Sequence, residues 1–331
     1  MHKKQLSMAL AIAGLLTALY MVAPAAGTAA AACTPATNIE AIIDDSGSMS
    51  STDSANNRSE ALKILISKSA NAKKTLGAVE FGSGFGAADP AATTVFAPAL
   101  IGSGAAAMKA ALTANILSDH GGTDYNAGFD QAKIDNPNAN ARIFLTDGGH
   151  NSGTYLNGHQ GGPPTYVVGL GTGLLPDDQA RLQTIAAETG GQYFPGVTAG
   201  TVNSTMNQID AALNCQAIAK TFTDQFAKIK KPKTKSTKIS SKTRSVDLVL
   251  SWENPLDAFT ISGVKLNKKG KDPKLSIKKT SGTTFLTVHV GKLKKGTLRF
   301  KLVATKLGSV FPGSTTPTVT LTTQATQNRT K

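Results

Sequence analysis

Between Asn38 and Gln216 short apolar runs alternate with stretches of helical spacing, and nothing else in the chain restricts its fold as tightly. Ile39–Ile43, Leu76–Phe81, Arg142–Leu145 and Thr165–Leu170 are each four to six residues long and mostly apolar, the size of strands buried on both faces. Between them, Ser59–Ala70, Ala105–Leu117 and Asp177–Thr189 carry apolar residues at helical spacing, with Leu62, Leu65 and Ile66 on one face of the first. Strands alternating with helices predict an α/β fold, a doubly wound and mainly parallel sheet covered on both faces. Such a sheet takes ligands in the crevice beyond the carboxyl ends of its strands.

After Cys215 the pattern changes. Residues 228–244 are rich in Lys, Thr and Ser without helical period and read as a linker. Period-2 alternation follows, in Val246, Leu248, Leu250 and Trp252, then Leu286, Val288 and Val290, then Leu298, Phe300 and Leu302, and then Val319 and Leu321. Short alternating strands broken by Gly, Pro and Asn predict a small antiparallel β-sandwich. The expected organisation is a leader over 1–32, an α/β domain over 33–219, a basic linker over 220–244 and a Lys-rich sandwich, immunoglobulin-like or jelly-roll, over 245–331.

Charge divides along the same line. The net +14 of the 331-residue chain conceals nine Lys and Arg against sixteen Asp and Glu in 33–219, and twenty-four against five in 220–331. An acidic half joined to a basic half implies two modules with separate roles. The lysines have two readings, guards against edge-to-edge strand pairing or attraction to an anionic polymer of the cell envelope. Few aromatics stand among them, so sequence-specific nucleic-acid binding is not expected.

His2-Lys3-Lys4, the uncharged apolar run Met8–Val22 and the small residues up to Ala32 form the pattern of a cleaved secretory signal. That run is short for a membrane span, and no later stretch is apolar enough, so the mature chain is expected to be secreted, periplasmic or held at the cell surface without a transmembrane segment. The only cysteines, Cys33 and Cys215, bracket the acidic half, and in an exported protein they predict one disulfide. On the chain-entropy model, closing so long a loop stabilises by roughly 5 kcal/mol. Lipidation of Cys33 is the competing use, although it would strand Cys215 as an odd thiol and Ala30 stands where bacterial lipoprotein signals carry Leu.

The first strand runs into Asp44-Asp45-Ser46-Gly47-Ser48, placing a carboxylate and two hydroxyls at alternate positions past its carboxyl end. Gly121-Gly122-Thr123-Asp124 forms a tight loop before a helical run, and the strand Ile143–Leu145 ends in Thr146-Asp147-Gly148-Gly149. Three loops can therefore aim hydroxyl and carboxylate oxygens at one place. Hard oxygen donors with few carboxylates suit Mg²⁺, or Mn²⁺ or Ca²⁺, and no Cys or His cluster suggests zinc. A hydrogen-bonded turn with a helix cap is the plainer use of Asp44–Ser48, but it would not require Thr123 and Asp147.

These segments, within residues 37–216, resemble the von Willebrand factor A domain and its metal-ion-dependent adhesion site. Asp44, Ser46 and Ser48 match its Asp-x-Ser-x-Ser motif, Thr123 its threonine and Asp147 its second aspartate. The resemblance implies that Ser46, Ser48 and Thr123 contact a divalent ion and that Asp44 and Asp147 bind it directly or through water. It also implies that an Asp or Glu of a protein partner completes the shell. The expected function is an exported, metal-dependent protein-binding and adhesion module. The rival is a structural or assembly factor of the envelope with an architectural metal.

No Gly-x-Ser-x-Gly, His-Glu-x-x-His or phosphate-loop motif is present, and the chain is not expected to be an enzyme. His120 and His150 lie near Thr123 and Asp147, as rim residues or ordinary loop histidines, while Asp45 and Asp124 either tune the site's charge or are solvated acids. Trp252 continues an apolar face and is read as core. Gly82–Gly86 is read as a flexible loop.

Overall fold

The computed structural model describes residues 33–86, 89–267, 274–308 and 318–327. The expected leader, residues 1–32, lies outside the described residues. Thr34–Lys331 form one compact unit.

The first half is an α/β sheet. In chain order its elements are β1 (Asn38–Asp44), α1 (Met49–Thr52), α2 (Asn57–Ser67), β2 (Thr75–Phe81), β3 (Ala92–Leu100), α3 (Ile101–Asn115), α4 (Tyr125–Asp135), β4 (Ala141–Thr146), β5 (Thr165–Leu170), α5 (Pro176–Thr189), β6 (Gln192–Val197) and α6 (Val202–Leu213). The strands lie in the order β3-β2-β1-β4-β5-β6. All pairs are parallel except β2 with β3. Period 2 divides β1 between two cores. Ile39, Ala41 and Ile43 join Leu62, Leu65, Leu112 and Met206 from α2, α3 and α6 on one face. Ile42 joins Phe129, Phe144, Leu182 and Ile185 of α4, β4 and α5 on the other. The doubly wound reading holds, and its switch point lies between β1 and β4, where successive strands leave in opposite directions.

The second half is a β-sandwich of β7 (Ala217–Gln225), β8 (Lys233–Ile239), β9 (Thr243–Trp252), β10 (Asp257–Asn267), β11 (Ser276–Ser281), β12 (Phe285–Gly291), β13 (Gly296–Leu307) and β14 (Thr318–Gln327). A three-stranded sheet, β10-β13-β8, faces a five-stranded one, β11-β12-β9-β14-β7. The stretch 220–244 is not a linker: it holds most of β7, which pairs with β14, and all of β8, which pairs with β13. Two Lys of β8 turn inward, where Lys233 and Lys235 pair with Asp224 and lie over the rings of Phe226 and Phe222. An apolar alternation is therefore missing from a strand that is nevertheless half core. Trp252 packs against Phe259 inside the sandwich, as read.

The halves are packed together. Ile64 of α2 meets Val249 and Phe285 of the sandwich in a small buried cluster. Thr283 N–H donates to Glu60 Oε2 at 2.8 Å, and Asn203 Nδ2 donates to Thr284 Oγ1 at 3.1 Å. Helix α2 is consequently buried on almost every side, including its polar Asn57, Arg58, Ser59 and Glu60. Cys33 and Cys215 are both disulfide-bonded, and no free cysteine remains. Among the described residues no helix is long and apolar enough to cross a membrane.

Candidate metal centre

The two strands flanking the switch point, β1 and β4, end in Asp44 and Thr146, so the loops 45–48 and 147–149 leave the sheet side by side. Asp44 is fully buried, and each of its oxygens has a donor: Ser46 N–H to Oδ1 at 2.9 Å and Thr146 Oγ1 to Oδ2 at 2.5 Å. Burial pushes its carboxyl up to about 6 and the neighbouring charge of Asp147 adds to the rise, while hydrogen bonds from Ser46 and Thr146 oppose it.

The Ser46 and Ser48 hydroxyls are hydrogen bonded 3.1 Å apart, and Ser48 Oγ donates to Asp147 Oδ1 at 2.7 Å. Ser48 precedes α1 but makes no capping hydrogen bond with its side chain. The turn expected of Asp44–Ser46 forms, therefore, while the hydroxyl that a helix cap would use is turned toward Asp147. Thr123 reaches the same place: a Cβ built on Gly148 would stand 3.7 Å from Thr123 Oγ1 and 4.0 Å from Ser48 Oγ. The loop carrying Thr123 is tied down by Gly47 N–H to Gly121 O (2.8 Å) and by Thr123 N–H to Asn151 Oδ1 (2.8 Å). All five residues singled out in the sequence thus converge on one spot.

The donor set fits a divalent cation. Asp147 Oδ2 is buried without a hydrogen-bond partner, an arrangement that costs free energy unless something positive or protic meets it. Ser48 is exposed, so the cluster opens to solvent on that side. The buried cation Arg58 is committed elsewhere, since its Nη2 donates to Asp45 Oδ1 at 2.7 Å with both side chains at 0% exposure.

Neighbouring residues have other work. Asp45 is no solvated loop acid: besides Arg58 it accepts the N–H groups of Leu117 (3.0 Å) and Ser118 (2.7 Å). Its oxygen lies within 4.8 Å of ligand atoms of Asp119 and His120, but those three donors leave it little capacity for a metal. Asp124 caps α4 by accepting from Asn126 N–H at 2.9 Å and Ala127 N–H at 3.3 Å. His150 is not a rim residue. Its Nδ1 accepts from Tyr125 N–H at 3.1 Å, its side chain is 3% exposed and its ring packs on Tyr125 and Tyr155. His120 places Nε2 3.4 Å from Asp89. The 82–86 segment packs closely on His120, whose carbonyl oxygen would lie 2.1 Å from a Cβ on Gly82. Thr146 and Arg58 went unnoticed in the sequence. Thr146 directly precedes Asp147 at a strand end, which was the available signal, whereas Arg58 had none.

The three loops meet at the switch point of a 3-2-1-4-5-6 strand order. The α/β half is a doubly wound, mainly parallel sheet, the fold that the resemblance to the von Willebrand factor A domain implied. No family model and no curated relative matches the sequence. Among solved structures, the chain is similar to a von Willebrand factor type A protein from Catenulispora acidiphila, with 17% identity, 89% of this chain and 64% of that one covered, and a TM-score of 0.47. It is also similar to proximal thread matrix protein 1 from the mussel byssus with a zinc-occupied MIDAS motif, at 17% identity, 56% and 49% coverage and TM-score 0.44. The pilus adhesin SpaC from Lactobacillus rhamnosus GG gives 14% identity, 88% and 44% coverage and TM-score 0.45. The chain spans between 44% and 64% of the length of these three structures.

Proposed function

We propose that this chain is an exported protein-binding module of the adhesion type, which holds a divalent cation with Asp44, Ser46, Ser48, Thr123 and Asp147 and engages an Asp or Glu of a protein partner there. The observation that carries the reading is the convergence of the Ser46 and Ser48 hydroxyls on an Asp147 carboxylate whose buried Oδ2 has no partner. Mg²⁺ fits this donor set, as do Mn²⁺ and Ca²⁺. When bound, the cation supplies an electrophilic centre for an external carboxylate.

The chain's own residues prepare that contact. Asp44, held by one donor on each oxygen from Ser46 and Thr146, orients the hydroxyl loop from behind and keeps acceptor capacity for the ion. Ser48 and Asp147 join the two loops across the switch point, and Gly148 leaves open the space that Thr123 faces. Among the described residues none of the three site hydroxyls is hydrogen bonded to a histidine, and His150 Nδ1 is held by a backbone N–H, which supports a binding role rather than nucleophilic catalysis. An oxidised cysteine pair supports a place outside the reducing cytoplasm.

The test is thermal unfolding and calorimetric titration with Mg²⁺, Mn²⁺ and Ca²⁺. Ligands drawn from three distant loops are assembled only in the folded chain, so a bound ion raises the melting temperature by mass action. Ser48→Ala and Asp147→Asn should reduce that rise while leaving the metal-free melting curve nearly unchanged. In capture from cell-envelope extracts, partner proteins should be released by chelator. Melting curves indifferent to all three ions, or capture that survives chelator, would overturn this reading.

A further inference from the structure

Along β13 the side chains of Leu298, Phe300 and Leu302 enter the sandwich core, and the alternate positions Arg299 and Lys301 are exposed on the outer face of the three-stranded sheet. Register carries the same division to both neighbours. Arg299 stands opposite Lys265 of β10 and Ser236 of β8, while Lys301 stands opposite Ser262 and Thr234. Lys238, also exposed, stands opposite Thr297. Four cations thus share one face: Lys265 and Arg299 stand opposite each other on strands about 4.8 Å apart, Lys301 follows Arg299 about 6.8 Å along β13, and Lys238 lies diagonal to Arg299.

Among the described residues nothing on this face neutralises them. The three strands contain one carboxylate, Asp257, which is buried, and none of the four cations enters an ion pair among the described residues. On the inner face of the same sheet the fold does supply a counter-charge, pairing Lys235 with Asp224 at 2.8 Å. Like charges directly opposite on adjacent strands, as in Lys265 and Arg299, are destabilising. Edge protection does not account for Arg299 and Lys301, which lie on the central strand and so have no free edge to guard.

We infer that the outer face of β10-β13-β8 binds an acidic polysaccharide. Charge complementarity requires a polyanion. The Ser and Thr hydroxyls between the cations suit the hydroxyl-bearing repeats of a sugar polymer. The aromatic residues of these strands, Phe259 and Phe300, are both buried, so no platform exists for stacking nucleic-acid bases.

The full chain is to be tested on immobilised heparin in chelator, which keeps the metal centre out of the measurement. Retention should fall steeply with salt. Arg299→Ser/Lys301→Ser should weaken binding about tenfold or more at about 0.1 M salt, the size expected for losing two counterion-releasing contacts. Lys73→Ser/Lys278→Ser removes the same charge from exposed sites off this face, and should bind nearly as the wild type does. The single variant Lys238→Ser gives an independent reading should the double variant melt early, and it too should bind more weakly. Equal weakening in face and control variants, no retention of the wild type at low salt, or stronger competition by single-stranded DNA than by free heparin would each overturn the inference.

Discussion

Asp44 and Asp45 are adjacent carboxylates, both fully buried, and the two-residue period of β1 sends them to different tasks. Asp44 shares the parity of Ile42 and lies in the candidate metal centre, whereas Asp45 shares that of Ile43 and meets Arg58 of α2. Arg58 also reaches Asp53, with Nη1 3.2 Å from Oδ2. Removing one member of a buried ionic cluster leaves uncompensated charge, so Arg58→Met is expected to lose about 3–5 kcal/mol in urea unfolding. Adding Asp45→Asn should recover part of that loss, and strict additivity of the two changes would contradict the coupling. The metal-centre residues were legible because three motifs fixed their types and order. The Asp45–Arg58 pair was not, because its members stand thirteen positions apart across turn and helix and no local spacing encodes their meeting.

Among the elements, β1 carries a second buried acid at its other end. Glu40 Oε2 accepts from Asn136 Nδ2 at 2.9 Å, while Oε1 is buried without a partner. Desolvation by burial lifts its carboxyl from an ordinary 4.5 to about 8, with a smaller lift from Asp135, against Asn136 and Arg142. The folded value lies above the unfolded one, so the protonated form stabilises the fold at low pH. That contribution is present below about 4.5 and is lost as pH rises through about 8. Glu40→Gln should therefore melt close to the wild type near pH 4.5 and progressively above it toward pH 8, followed by scanning calorimetry at stepped pH. A gap that stays constant with pH would refute the assignment. The strands and helices of the sheet centre were legible as compact apolar runs. The edge strands β3 and β6 were not: each is partly exposed and carries a proline, Pro98 and Pro195, a residue confined in sheets to edges and bulges. Strand β8 escaped because its inward lysines lie on aromatic rings, so that core and solvent faces have the same composition.

For the whole molecule, the Ile64–Val249–Phe285 cluster and the hydrogen bonds from Thr283 and Asn203 make the two halves mutually supporting. Scanning calorimetry should show one unfolding transition. Phe285→Ala, expected to cost about 3–5 kcal/mol by cavity formation, should broaden or split it. Two well-separated transitions in the wild type would show that the halves melt independently. The division into an α/β half and a β half was legible from the change of hydrophobic period and the reversal of charge. Their close packing was not, because α2 reads as an ordinary one-sided helix until the second surface that covers it is known.

Strand β14, formed by Thr318–Gln327, lies between β9 and β7 rather than at an edge of its sheet. Both partners precede it in the chain, and until it arrives each leaves a row of backbone donors and acceptors open. A chain still being completed must therefore hold two unpaired strand edges apart until the residues that will separate them are present. Long-range pairing of this kind folds slowly and exposes chains to aggregation. A chain truncated before residue 318 is left with an unclosed gap between β9 and β7, open to proteolysis and to pairing with neighbouring chains.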